Sequence, residues 1–248
     1  MTRCTSRFYC PNLAEALSSA KLSDAPVALD RDEAHHARRV LRLADGEGIE
    51  LFDGCGCVAE ATLVAAGRTV GARIASVRRV EPLRPMVDVA VALPKGPRAD
   101  QLVQQLTQLG ADRVIPLRTR HSVVDPRGSK LDRLRQIVVE ATKQCGRAYL
   151  MEVAEVTDFG DVDFAAYDLR LLADAEGGTV IDAAAVRSAR RVLILVGPEG
   201  GWSDDELAAA DEAGCVRWSL GPNVLRIETA AAAAVVVVRY HRQAAIAQ

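Results

Sequence analysis

Beyond residue 86 the sequence repeats one pattern. Residues 87–93 form a near-continuous apolar run, and strand-like segments recur at 114–117, 169–173, 192–196 and 216–220. An apolar run without alternation predicts a strand covered on both faces, because alternation is the mark of a strand with one wet face. Helical stripes separate these segments. Leu102, Val103, Leu106 and Leu109 recur at helical spacing and stop at Gly110. A second stripe, Leu131, Leu134, Ile137, Val138 and Ala141, follows Ser129 and Asp132, which have the spacing of a capping box. Strands alternating with helices predict an α/β domain with a mostly parallel sheet covered by helices.

The first third of the chain reads differently. Short β-like segments at 27–29, 48–52, 57–64 and 70–77 alternate with glycine-containing turns, which predicts a small β-barrel, with one helical insert over 32–43. Between the two regimes lies Glu81-Pro82-Leu83-Arg84-Pro85, whose prolines oppose both helix and strand pairing. The expected division is therefore 1–80 and 86–248, and 248 residues exceed the usual single domain of about 100–150. Aromatic residues make up only 4% of the chain, so alanine and valine must fill much of the interior. Residues 228–247 are rich in both around the whole circumference of a helix, which predicts burial inside the fold or against a partner subunit.

A formal net charge of −2 excludes a protein that is basic all over and leaves room only for local basic faces. One candidate runs from 113 to 147, where Arg118, Arg120, Arg127, Lys130, Arg133, Arg135 and Lys143 outnumber Asp125, Asp132 and Glu140. The positive charges of the adjoining loop, 118–128, are expected to have no acidic partners nearby, and a phosphate-binding surface is expected there. Residues 31–42, with Arg38, Arg39 and Arg42, offer a second patch; His35 and His36 read as surface residues. The six cysteines are scattered with no C-x-x-C spacing, so they are expected to be reduced, and no metal site is expected. No apolar leader precedes Pro11 and no apolar stretch reaches the roughly 20 residues that span a bilayer, so a cytoplasmic location without membrane contact is expected.

Two glycine-rich turns follow predicted strands. The first, Gly197-Pro198-Glu199-Gly200-Gly201-Trp202, leads into Ser203 and Glu206, a capping pair that starts a helix. The second, Leu220-Gly221-Pro222-Asn223-Val224-Leu225-Arg226, leads into Ile227-Glu228-Thr229, again at a helix start. Ligands of open α/β sheets bind outside the carboxyl ends of strands, and glycines there let backbone groups reach a ligand. Free N–H groups at a helix start favour an anion or carboxylate. Gly197 and Gly200 are accordingly expected to tolerate no side chain, because a Cβ would intrude on that ligand or force unfavourable backbone angles. A dinucleotide-like Gly54-x-Gly56 is set aside, because residues 58–64 continue as strand instead of opening a helix.

These two turns, Gly-Pro-Glu-Gly-Gly-Trp-Ser at 197–203 and Leu-Gly-Pro-Asn-Val-Leu-Arg-Ile-Glu-Thr-Ala at 220–230, resemble the signature loops of RsmE-type uracil-N3 methyltransferases of the SPOUT superfamily. The likeness extends over nearly the whole chain, through Arg7-Phe8-Tyr9, His36, Val40-Leu41-Arg42, Phe52-Asp53-Gly54, Lys95, Leu109-Gly110 and Gln144-Cys145-Gly146-Arg147. Two positions depart from the family pattern: Asn223 stands where arginine is usual, and Gln108 where glutamate is.

The resemblance implies a PUA-like barrel, a C-terminal α/β domain with a deep trefoil knot, and a homodimer. It implies S-adenosyl-L-methionine held by three loops. The residues carried over are Leu172 and Ala173; Leu195, Val196, Gly197, Pro198, Glu199, Gly200 and Gly201; and Leu220, Gly221, Asn223, Val224, Leu225, Arg226 and Thr229. Arg226, Glu199 and Glu228 are the implied catalytic candidates. Arg7, His36, Arg39, Arg42, Lys95, Arg118, Arg120, Arg127 and Arg147 are the implied contacts to 16S ribosomal RNA or the small ribosomal subunit. Methylation of uridine N3 is the expected reaction. Ribose 2′-O-methylation, or RNA binding in ribosome assembly without catalysis, are the alternatives.

Overall fold

A computed structural model describes residues 6–19, 26–66, 69–124, 128–178 and 181–243, and the chain divides into two compact units. The first comprises the described residues up to Pro82 together with 142–150. Its elements are β1 (Ser6–Tyr9), α1 (Leu13–Ser19), β2 (Val27–Ala28), α2 (Arg31–His35), β3 (Gly48–Phe52), β4 (Cys57–Ala66) and β5 (Thr69–Arg79). The strands expected for a small barrel form one five-stranded sheet in the order β1-β3-β4-β5-β2, antiparallel except where β1 pairs with β3. Phe8, Leu13, Ile49, Leu51 and Leu63 fill its core.

The expected helix over 32–43 is only partly α-helical. The Asp30 side chain accepts the Glu33 N–H at 2.7 Å and starts α2, but His36–Val40 is a π-helical turn. There Leu41 N–H donates to His36 O at 2.9 Å and Leu43 N–H to Ala37 O at 3.0 Å, and Arg42 adopts a left-handed φ of 57°. The widened turn keeps Ala37 in the core while Arg39 and Val40 face outward.

Residues 142–150 are a return segment that a division at 80–86 does not show. Tyr149 Oη donates to Val80 O at 2.8 Å, Leu150 N–H donates to Gly54 O at 3.0 Å, and Ala148 packs with Phe52 and Val58. Gly54 has a φ of +77°, and a Cβ on it would lie 2.7 Å from Leu150 Cγ. Its place after Phe52-Asp53 is thus a packing requirement rather than a nucleotide fingerprint.

The second unit carries β6 (Met86–Val91), α3 (Pro97–Leu109), β7 (Arg113–Arg118), α4 (Ser129–Cys145, to Ala141 in this unit), β8 (Glu152–Val153) and β9 (Thr157–Asp158). It continues through β10 (Leu169–Gly178), α5 (Ala183–Ser188), β11 (Arg191–Val196), α6 (Asp204–Glu212), β12 (Val216–Trp218) and α7 (Ile227–Gln243). Its seven-stranded sheet runs β12-β10-β11-β6-β7-β8, with β9 beside β7, and every pair is parallel, as the alternation of runs and stripes predicts. Val87, Val89, Val91 and all of Val192–Val196 are buried, as strands between two helical layers must be.

Asp88 is the exception on β6. It accepts from Tyr167 Oη at 2.8 Å and from Arg191 at 2.9 Å, which lets a charged group stand in the sheet. Burial, and then donation to Asp88, push the Tyr167 phenol well above its usual range.

The α7 helix is not covered on all sides within one chain. Ile227, Ala231, Ala234, Val235 and Val238 are buried, whereas Val236 and Tyr240 are exposed. Arg239 anchors the buried side by donating to Pro85 O, Gly110 O and Asp112. Among the described residues no helix is long and apolar enough to cross a membrane.

Candidate active site

Strand register builds the site. Ala173 of β10 pairs with Val196 of β11 on one side and with Trp218 of β12 on the other, so β11 and β12 end level with Ala173, beyond which β10 continues to Gly178. Beyond these ends lies a cleft of about 600 Å³. Its size is in the range of roughly 300–1,000 Å³ that small-molecule sites occupy. Both glycine-rich turns border it, together with a bulge of β10 in which the register to Trp218 shifts between Ala173 and Gly178.

Of the residues expected to hold a cofactor, Ala173, Val196, Gly197, Pro198, Glu199, Gly201, Leu220, Asn223, Val224, Leu225 and Arg226 line this cleft. Leu172 and Leu195 are fully buried behind it in the sheet. Gly200 and Gly221 belong to the same turns, and Thr229 to the first turn of α7, but none of them to the wall. Side chains that sequence reasoning did not single out complete the wall: Asp174, Arg217, Trp202 and Trp218. The indole of Trp202 packs on Phe159 with centroids 5.5 Å apart and donates to Ala173 O at 3.0 Å, tying the first turn to β10 at the start of its bulge. Arg217 donates to Asp174 at 2.5 and 2.8 Å, tying β12 to the bulge.

Side chains of this protein occupy the space beside two of the glycines. A Cβ on Gly197 would lie 2.9 Å from Trp202 Cε2, and one on Gly200 would lie 3.0 Å from His121 Cβ. Both glycines therefore admit close-packed side chains of this protein, and a Cβ on either would meet those side chains. Gly201 and Gly221 are needed for conformation, at φ of +74° and +122°. The capping box starting α6 is present, with the Ser203 hydroxyl receiving the Glu206 N–H and the Glu206 carboxylate receiving the Ser203 N–H.

The three catalytic candidates separate. Arg226 is exposed on the cleft wall. Glu199 is also on the wall and pairs with Arg98 at 3.1 Å. Glu228 is buried in the first turn of α7, away from the wall, and its Oε2 has no hydrogen-bond partner among the described residues.

The basic surfaces need correction. Arg7 does not face solvent: its side chain is 9% exposed, lies 4.6 Å from the Phe52 ring centroid, and donates to Glu50 at 2.5 Å, Thr142 O at 2.9 Å and Arg147 O at 3.0 Å. It clamps the return segment. Nor do the cations of 113–147 lack acidic neighbours. Arg118 pairs with Asp158, Arg133 with Asp100, Arg135 with Asp132 and Glu155, and Lys143 with Glu33, carboxylates mostly distant in the sequence. Arg120, Arg39, Arg42 and Lys95 are exposed without an ion pair among the described residues. His36 is half-buried, edge-on to Phe8, and Arg147 is half-buried. Arg127 lies outside the described residues.

With this geometry in hand, comparison with known proteins is specific. The RNA methyltransferase domain family matches residues 81–239, and the RNA methyltransferase PUA domain family matches 29–69. Among curated relatives, the ribosomal RNA small subunit methyltransferase E of Mycobacterium tuberculosis is 36% identical over 223 residues, 85% of this chain and 84% of the relative. That of Synechocystis is 33% identical over 216 residues, 85% of this chain and 71% of the relative. A crystal structure of the Neisseria gonorrhoeae ribosomal RNA small subunit methyltransferase E bound to S-adenosyl methionine superposes with a TM-score of 0.79 at 27% identity, covering 95% of this chain and 97% of that one.

Proposed function

The chain belongs to the ribosomal RNA small subunit methyltransferase E family, and from that premise we propose that it methylates N3 of a uridine in 16S ribosomal RNA with S-adenosylmethionine as donor. The observation that carries this reading is the cleft beyond the ends of β11 and β12 and beside the β10 bulge, bordered by both signature turns. The cleft fits such a cofactor. Trp202, Trp218, Leu225 and Ile227 supply apolar surface for an aromatic base, while the backbone of the turns and the Asp174 carboxylate supply partners for hydroxyl and amino groups.

When bound, the cofactor supplies an electrophilic methyl group on a sulfonium centre. The protein must do the rest. Uracil N3 carries a proton and ionises well above neutral pH, so its lone pair is unavailable until that proton is shared with a base. Positioning and proton removal therefore provide most of the acceleration. Arg226, a cation on the cleft wall, stabilises negative charge developing on the uracil oxygens. Glu199, one of several carboxylates on the same wall, is the proposed proton acceptor. Glu228 is buried in the first turn of α7.

Arg39, Arg42, Lys95 and Arg120 are the proposed phosphate contacts. The reading includes the knotted crossing and a homodimer, for which the exposed Val236 and Tyr240 on an otherwise alanine- and valine-rich α7 provide an apolar face. Light scattering at micromolar concentration is expected to give twice the chain mass. Nucleoside analysis of 16S RNA treated with the protein and methyl-labelled cofactor is expected to yield 3-methyluridine. Label in a 2′-O-methylnucleoside, or none in RNA, would refute the assignment.

A further inference from the structure

The loop after β7 rests directly on the first signature turn. His121 lies over Gly200, whose Cβ, if present, would stand 3.0 Å from His121 Cβ and 3.5 Å from Cγ. His121 Nδ1 is 3.1 Å from Gly201 O. A carbonyl can only accept, so Nδ1 carries the hydrogen in this contact.

One residue earlier, the Arg120 N–H donates to Glu206 Oε1 at 2.8 Å. The other oxygen of that carboxylate accepts from Ser203 N–H at 2.9 Å and from Ser203 Oγ at 3.0 Å. Glu206 is thus shared: one oxygen closes the turn that borders the cleft, and the other holds the backbone of the loop that carries the exposed Arg120. The loop is braced in turn by Ser122 Oγ, which accepts the Thr119 N–H at 2.9 Å. Residues 119–122 and 197–206 therefore share hydrogen bonds and steric contact. The position of one fixes the position of the other.

We propose that His121 is a positioning residue that couples the two substrates: a ligand in the cleft fixes the 197–201 turn, and His121 transmits that placement to the loop presenting Arg120 to RNA. This rests on the methyltransferase reading above. Binding linkage is reciprocal, so RNA held by the loop tightens the cleft for cofactor by the same factor as cofactor tightens RNA binding. The absence of a side chain at Gly200 acquires its reason here, since His121 fills that space.

The test uses the full chain, S-adenosylhomocysteine as an unreactive probe of the cleft, and a transcript of 16S ribosomal RNA. Equilibrium dialysis of labelled probe with and without RNA gives the coupling factor, expected to be about fivefold or more. In His121→Ala each ligand alone should bind within about threefold of the parent, while the factor falls toward one. His121→Gln, whose side-chain amide can donate to Gly201 O, should recover most of the coupling. A purely structural role would not produce that pattern. Gly200→Ala, whose backbone φ is not left-handed, should reduce the factor by displacing His121.

Normal binding of each ligand with a coupling factor near one in the parent protein would overturn the inference and leave the function standing. Full coupling in His121→Ala would overturn it as well. No probe binding by the parent protein would overturn the function and the inference together.

Discussion

Gly197→Ala is the sharpest probe of how the cleft is built. The added Cβ would stand 2.9 Å from Trp202 Cε2, 3.1 Å from Cδ2 and 3.2 Å from Nε1, so the ring has to retreat by several tenths of an ångström. It has little freedom to do so, because Nε1 donates to Ala173 O at 3.0 Å and Phe159 packs 5.5 Å away. The backbone itself accepts alanine, since the φ of Gly197 is not left-handed. Overpacking of this kind costs about 1–3 kcal/mol, and loss of the indole hydrogen bond, worth about 1 kcal/mol, places the variant in the upper part of that range. At about 2–4 °C per kcal/mol for a unit of this size, calorimetry should show a melting temperature lower by roughly 4–10 °C. Trp202 also lines the cleft, so its displacement should weaken cofactor binding about tenfold, or about 1.4 kcal/mol. Titration is convenient because both tryptophans of the chain line the cleft, and intrinsic fluorescence should report occupancy. An unchanged melting temperature together with unchanged affinity would refute the argument that Trp202 determines glycine at this position.

Arg226→Ala should lower turnover by roughly 100-fold with RNA affinity little changed, and normal single-turnover methylation would remove Arg226 from the chemistry. Arg7→Ala should destabilise the N-terminal unit by about 3 kcal/mol in urea unfolding, because it strips a largely buried cation from three acceptors. The salt slope of RNA binding should not change in a folded Arg7 variant, and a slope reduced by about one would restore Arg7 as a phosphate contact. Stability should decline at alkaline pH: burial pushes the Cys215 thiol from 9.0 up to about 11, and burial with donation to Asp88 raises the Tyr167 phenol above its ordinary 10.0. The folded state then holds protons that the unfolded state has lost, so these contributions are complete below about pH 9 and vanish as pH rises through the folded values. Cys215→Ala should flatten the lower part of that decline in urea midpoints, and an unchanged slope would refute it.

The parallel sheet was legible because its signal is local. A strand such as Val192–Val196, buried at every position, leaves an uninterrupted apolar run, and the turn after it announces itself by glycine and a capping pair. What escaped depends on contacts between distant segments. Residues 142–150 belong with the N-terminal unit, yet only the bonds of Arg7, Tyr149 and Leu150 to partners far along the chain reveal it. Charge misled for the same reason. The run from 113 to 147 is basic in sequence, but Asp158, Asp100, Glu155 and Glu33 arrive from other elements and pair with Arg118, Arg133, Arg135 and Lys143. Glycine carries the same ambiguity, since a missing Cβ says that something approaches and not what. At Gly197 it is Trp202 and at Gly200 it is His121, both side chains of this protein. A glycine-rich signature can therefore hold the walls of a cleft in place through its packing, and part of its effect on binding then passes through the tryptophan and histidine packed against it.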